Sequence, residues 1–131
     1  MTIAVAKKTA ITLIVNHSTT LTTVDIIFLN EEFKERICSP DKEIKIDFTN
    51  PKGSINIETP KAEQYALASW FGYLDKEPYS LKRKLMTSLV FKKDGMALTC
   101  HKISGGEIIE QIKKVFCAKF GISADEIQQV A

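Results

Sequence analysis

Residues 88–121 decide the fold class, and they read SLVFKKDGMALTCHKISGGEIIEQIKKVFCAKFG. Two short apolar runs, Ser88–Phe91 and Met96–His101, flank Lys92–Gly95, whose composition is typical of a tight hairpin turn. After the hairpin the spacing of apolar residues changes, and over residues 108–120 they recur at helical spacing. A β-hairpin followed by an amphipathic helix predicts an α+β domain.

The first half of the chain has the patterns of strands. Ala10–Val15 and Val24–Leu29 are rich in β-branched residues and nearly continuous in apolar character, which predicts strands covered on both faces. Apolar and polar residues alternate strictly in Ile44–Thr49 and in Ile55–Glu58, on either side of the turn Asn50–Gly53. This pattern predicts a second hairpin with one solvent-exposed face. We therefore expect an antiparallel sheet of about five to six strands, with helices packed mainly on one face.

Three further segments have helical signals. Thr59-Pro60 begins a helix, since threonine caps and proline suits the first helical position, and an apolar face follows over residues 62–74. Ser80 is a candidate cap for a shorter helix. The segment Asn30–Pro40 is ambiguous, although Glu31–Ile37 has the composition of a short helix. We find no internal repeat or linker, so residues 1–131 are expected to form one domain.

The tail of the chain predicts two helices joined at a corner. Gly121 is a left-handed stop for the helix that precedes it. Ser123 and Glu126 have the spacing of a capping box, and Ile122 and Ile127 have that of a hydrophobic staple. A second helix from Ser123 to about Val130 is the expected result.

This tail, residues 113–131, resembles the helix-turn-helix of DNA-binding proteins. The residues that carry the resemblance are the turn glycine Gly121, the small Cys117, and the apolar Phe120, Ile122, Ile127 and Val130. The resemblance implies that the last helix enters the major groove, where Gln128 and Gln129 would contact adenine edges. The alternative is an αα-corner that only packs, because the same spacings occur there.

Charge is concentrated in one part of the chain. The formal net charge is +2, yet residues 82–102 carry six basic residues against Asp94 alone, a net of +5. Such placement favours an anionic partner, either a nucleic acid or an acidic protein surface. The candidate contacts are Lys82, Arg83, Lys84, Lys92, Lys93 and Lys102.

No catalytic or metal pattern stands out. Cys38, Cys100 and Cys117 are widely spaced and are expected to be small core side chains. Cys100 and His101 are adjacent in a predicted strand, so their side chains should point to opposite faces and cannot form a nucleophile–base pair. We predict no catalytic residue, metal or cofactor.

These patterns lead to three hypotheses about function. The first is a non-catalytic interaction, assembly or inhibitory module that binds another macromolecule. A protein is the partner that we favour. The second is a nucleic-acid-binding regulator that uses residues 82–102 and the tail. The third is an enzyme with an unrecognised site. The order of charge in Met1–Lys8 is wrong for a secretory signal, and no stretch is apolar over the roughly 18 residues of a membrane span, so a cytoplasmic location without membrane contact is expected.

Overall fold

The computed structural model describes residues 8–38, 43–47, 62–71 and 86–130. Within these ranges the chain forms six strands, which are β1 Ile11–His17, β2 Leu21–Phe28, β3 Ile44–Asp47, β4 Ser88–Lys92, β5 Gly95–His101 and β6 Ile127–Val130. Its helices are α1 Glu31–Ile37, α2 Ala62–Trp70 and α3 Gly105–Phe120. Two single 3-10 turns, Lys102–Ser104 and Ala124–Glu126, flank α3. The α+β class predicted from the sequence is confirmed.

The strands form one mixed sheet in the order β3-β4-β5-β2-β1-β6. Neighbours are antiparallel from β3 to β1, but β6 lies parallel to β1, with Ile11 beside Ile127. The prediction of a purely antiparallel sheet is therefore wrong at this edge. The reason is topological: α3 carries the chain from the end of β5 back across the sheet, so the last strand enters beside β1 in the same direction.

One face of the sheet is buried at its centre. The register aligns Leu13 with Ile26, Val24 with Leu98, and Leu98 with Leu89, and all five of these side chains are at most 5% exposed. On the other face, residues such as Ile14, Ile27 and Val90 are half-buried. The continuous apolar runs in β1 and β2 predicted full cover on both faces, whereas the structure alternates between buried and half-buried positions.

Aromatic contacts seat α1 and α3 on the buried face. The ring of Phe28, in β2, lies 6.2 Å from the ring of Phe33 and 5.6 Å from that of Phe116, both in edge-to-face geometry. Phe120, at the end of α3, stacks 5.4 Å from Phe116 and lies 4.6 Å from Phe33. These four rings join the two helices and the centre of the sheet into one core.

Polar contacts tie α2 to the other two helices. The buried Gln64 donates through Nε2 to the Ile37 carbonyl at 3.0 Å. Glu63 contacts Arg36 at 3.3 Å and Lys119 at 3.7 Å, so one carboxylate bridges all three helices. The helix over residues 62–70 is confirmed by α2, while its predicted start at Thr59-Pro60 lies outside the described residues.

Two other sequence predictions are met in part. Glu31–Ile37 is the short helix that its composition indicated, and Asn30 caps it by accepting a hydrogen bond from the Glu32 N–H at 2.8 Å. Ile44–Asp47 is a strand, but its described partner is β4. The rest of the predicted hairpin around Asn50–Gly53 and the helix expected at Ser80 lie outside the described residues.

The tail departs from the predicted two-helix corner. α3 ends at Gly121, which is left-handed with φ 66° as expected. The capping chemistry also forms, since Glu126 Oε1 accepts from Ser123 N–H at 3.1 Å and from Ser123 Oγ at 3.2 Å. It closes only one 3-10 turn, however, and Ile127 then begins β6. The second helix was a wrong prediction.

The cause of this error is the edge of β1. A capping box satisfies the backbone donors of one turn and does not require a helix to follow. Beyond that turn, β1 offers unpaired backbone groups, and Ala10 N–H donates to the Glu126 carbonyl at 2.7 Å. Ile127 packs partly against the core beside Ile11, so a strand buries an apolar side chain while pairing its backbone.

The cysteines are all free. Cys38 and Cys100 are buried in the core as predicted, whereas Cys117 is only half-buried. Among the described residues, no helix has the length and apolar character needed to cross a membrane.

Candidate functional site

The tip of the β4–β5 hairpin carries a candidate binding surface. Here an open depression of about 390 Å³ lies against β1, β2 and β5. Its apolar part is formed by Ile14, Ile26, Ile27 and Met96, with Gly95 at the turn. Charged residues complete the lining, namely Asp25, Glu43, Lys92, Lys93 and Asp94. We call this set of residues the hairpin-tip surface.

Backbone contacts hold the hairpin tip in place. Phe28 N–H donates to the Asp94 carbonyl at 2.8 Å, and the Cys38 thiol donates to the Gly95 carbonyl at 3.6 Å. Gly95 itself packs so closely on β2 that an added Cβ would lie 1.8 Å from the Ile26 carbonyl oxygen. Glycine is needed here for close approach rather than for a positive φ, which among the described glycines only Gly121 adopts.

The charges at the hairpin tip are mixed rather than basic. Lys92 Nζ lies 3.6 Å from Asp25 Oδ1, and Asp94 Oδ1 lies 3.9 Å from Lys34 Nζ. Two lysines thus share the lining with three carboxylates. An anionic polymer that approached Lys93 would also meet acidic groups, whereas a protein surface with charges of both signs would complement this pattern.

The structure brings together only some of the predicted basic contacts. Lys92 and Lys93 are exposed and adjacent at the tip. Lys102 is also exposed but follows the far end of β5, a strand of seven residues, which places it about 20 Å from the tip. Lys82, Arg83 and Lys84 lie outside the described residues. The described members of the basic segment therefore lie at two ends of the sheet.

The two glutamines of the tail are in a strand. Gln128 and Gln129 are exposed residues of β6, paired with Thr12 and Leu13, and consecutive strand residues point to opposite faces. They cannot lie on one recognition helix, so the helix-turn-helix arrangement implied by the resemblance is not present.

The Cys100 and His101 side chains are separated as predicted. Cys100 is buried, and this burial raises the pKa of its thiol, while His101 is exposed. A raised pKa keeps the thiol protonated at neutral pH and so makes it a poor nucleophile.

The structure also reveals a polar row that the sequence did not indicate. His17 Nδ1 lies 2.9 Å from Thr22 Oγ1, and Thr22 is paired with Cys100 on the adjacent strand. Thr22 thus lies between His17 in β1 and Cys100 in β5, and the start of α3 packs against it, since a Cβ on Gly105 would lie 3.0 Å from the Thr22 hydroxyl. Only the strand register, which the sequence does not contain, places His17 in this row. In the part of the chain that the structure describes, no group of three or more metal-ligating side chains is found.

Comparison of the chain with protein-family models, with curated proteins and with solved structures found no match.

Proposed function

We propose that this protein is a non-catalytic interaction module that binds another protein through its hairpin-tip surface. The observation that supports the proposal is the combination of half-buried apolar side chains, Ile14 and Ile27, with a rim of charged residues of both signs. Protein-binding surfaces have this anatomy, with apolar contacts in the centre and polar groups around them.

The shape of the depression supports a macromolecular ligand. A small molecule needs a cleft that buries most of its surface, whereas this depression is open to solvent along the hairpin. The Lys92–Asp25 ion pair is half-exposed and would be desolvated by a partner, which makes it a determinant of specificity. A suitable partner would place an apolar side chain against Ile14 and Ile27 and an acidic residue beside Lys93.

Reversal of one rim charge tests this proposal. Lys93→Glu is expected to weaken partner binding by about tenfold, because rim charges govern the association rate and its salt dependence. The measurement is affinity capture from a native extract with the full chain as bait, and quantification of each stoichiometric partner in the wild-type and variant samples.

The matched control is Lys114→Glu, which makes the same charge change at an exposed position of α3. The proposal requires that this control retain the partner that Lys93→Glu loses. Equal loss in both variants, or no stoichiometric partner for the wild type, would argue against binding at the hairpin tip.

Nucleic-acid binding is the alternative function, and the adjacent exposed lysines Lys92 and Lys93 favour it. If it is correct, the affinity for labelled duplex DNA, single-stranded DNA or RNA should fall steeply with salt, because Lys–phosphate contacts release counterions. Fluorescence anisotropy over a salt series measures this. Neutralising both lysines should reduce the slope of log affinity against log salt concentration by about two. If the anisotropy does not change when protein is added at low salt, the alternative is wrong.

A further inference from the structure

Where the three helices meet, an exposed tryptophan lies beside a largely buried lysine. We call this place the three-helix surface, and its residues are Arg36 of α1, Glu63 and Trp70 of α2, and Lys119 and Phe120 of α3. Trp70 is 48% exposed, whereas the Lys119 side chain is only 16% exposed. None of the five residues lines the hairpin-tip depression, so this is a separate surface of the described chain.

The contacts of this surface leave Lys119 without a hydrogen-bond acceptor. Arg36 Nη2 donates to Glu63 Oε1 at 3.3 Å, and its guanidinium lies 5.3 Å from the Phe120 ring centroid. Lys119 Nζ lies 3.7 Å from Glu63 Oε2, which is too far for a hydrogen bond, and within the described ranges that buried oxygen accepts none. The ammonium has three N–H donors, and its other contact in the described chain is the Trp70 ring, with the centroid 5.5 Å away.

The charges around Lys119 match one additional negative group. An ammonium group shielded from water is stabilised by an anionic acceptor that supplies the missing hydrogen bonds. Arg36 and Lys119 carry two positive charges and Glu63 carries one negative charge, so a single carboxylate balances the surplus. A nucleic acid strand that extended beyond Lys119 would meet Glu63 and the exposed Glu32 and Glu35 of α1, which repel phosphates.

Trp70 supplies an apolar contact next to this position. An aromatic ring of this size buries a large apolar area, and tryptophan is among the residues most enriched at the energetic centres of protein interfaces. In an extended peptide, side chains two residues apart lie on the same side, about 7 Å from each other. This spacing suits the 5.5 Å between Lys119 Nζ and the Trp70 ring centroid, with one side chain at each.

We propose that the three-helix surface binds an extended segment of a partner protein in which a carboxylate side chain lies two residues from an aliphatic one. The carboxylate accepts hydrogen bonds from Lys119, and the aliphatic side chain packs on Trp70. Glu63 holds Lys119 in place without satisfying its donors. This contact goes beyond binding at the hairpin tip and uses none of its residues.

The first test uses a capped pentapeptide with leucine second, glutamate fourth and serine elsewhere, titrated into the full chain labelled with nitrogen-15. Trp70 is the only tryptophan of the chain, so its indole N–H gives one identifiable signal. We expect a saturable shift of this signal with a Kd of about 1 mM, an affinity suited to a small contact. The matched peptide with glutamine in place of glutamate should bind at least about fivefold more weakly, because its charge-assisted hydrogen bond is lost.

Variants of the chain locate the contact. Lys119→Gln should weaken binding of the glutamate peptide at least about fivefold, whereas Lys119→Arg retains the cation and should bind it within about twofold of the wild type. Lys114→Gln makes the same charge change at an exposed position of α3 and is the control. Trp70→Ala should weaken binding at least about tenfold, as read from the backbone amide signals. The dispersion of the same signals confirms that each variant is folded.

The outcomes separate this proposal from the proposed function. The absence of a saturable shift, equal binding of the two peptides, or equal effects of Lys119→Gln and Lys114→Gln would overturn binding at the three-helix surface. Lys93→Glu should leave peptide binding unchanged, because Lys93 lines the hairpin-tip depression and not this surface. Partner capture through Lys93 is in turn independent of the peptide result.

Discussion

Gly95→Ala is expected to lower the free energy of unfolding by about 3 kcal/mol, the upper end of the usual cost of overpacking. An alanine Cβ would lie 1.8 Å from the Ile26 carbonyl oxygen and 2.9 Å from its carbon. Both atoms belong to the backbone of β2, so no side-chain rotation relieves the clash, and β5 must separate from β2 at the hairpin tip. Urea denaturation followed by circular dichroism measures the loss.

Gly106→Ala is the matched control for this prediction. Nothing lies within 4 Å of the position of its added Cβ, and Gly106 lies in the first turn of α3. Alanine is favoured over glycine in helices by up to about 1 kcal/mol, so this variant should be as stable as the wild type or more stable. If both substitutions had the same effect, the close approach of β5 to β2 would be contradicted.

The Gly95 prediction also affects the proposed function. Lys92, the last residue of β4, reaches across β5 to Asp25 in β2, and both residues line the depression at the hairpin tip. A folded Gly95→Ala protein should therefore show weaker partner binding than its remaining stability would explain.

Phe116→Ala is expected to lower the free energy of unfolding by about 4 kcal/mol, as is typical for removal of a buried aromatic ring. The Phe116 side chain is fully buried, 5.6 Å from the Phe28 ring and 5.4 Å from the Phe120 ring. Its removal leaves a cavity between α3 and the centre of the sheet. Chemical denaturation measures the change, with one m-value (the slope of unfolding free energy against denaturant concentration) fitted to all variants.

Phe120→Ala is the control at the edge of the same cluster. Phe120 is half-buried and contacts Phe33, Phe116 and the guanidinium of Arg36, which lies 5.3 Å from its ring centroid. Because less apolar surface is lost and solvent can fill part of the space, we expect about half the loss caused by Phe116→Ala. A larger effect at Phe120 than at Phe116 would mean that the core is centred elsewhere.

The reliable sequence predictions were those whose causes are local. The β4–β5 hairpin follows from two apolar runs around a short polar turn, and α3 follows from an apolar stripe ended by Gly121. In each case a few neighbouring residues satisfy one another's backbone groups. The position of Lys92 and Lys93 at the hairpin tip followed from the same local pattern.

The predictions that failed needed information from distant parts of the chain. Ser123 and Glu126 make the hydrogen bonds that their spacing predicted, yet β1 determines that Ile127–Val130 is a strand rather than a helix. The two glutamines expected on a recognition helix consequently lie on opposite faces of β6. The residues that line the depression beside Lys93 come from β1 and β2 as well as the hairpin, so composition alone could not bring them together.

The sequence by itself determined the α+β class, the β4–β5 hairpin, the end of α3 at Gly121 and the burial of Cys38 and Cys100. It did so because periodicity, turn composition and capping act over a few residues. The tertiary structure decided the parallel edge strand, the mixed charges around Lys92 and the row of His17, Thr22 and Cys100. These depend on which strand edge each segment meets, since unpaired backbone groups and exposed apolar side chains are satisfied by whichever element the whole fold brings beside them.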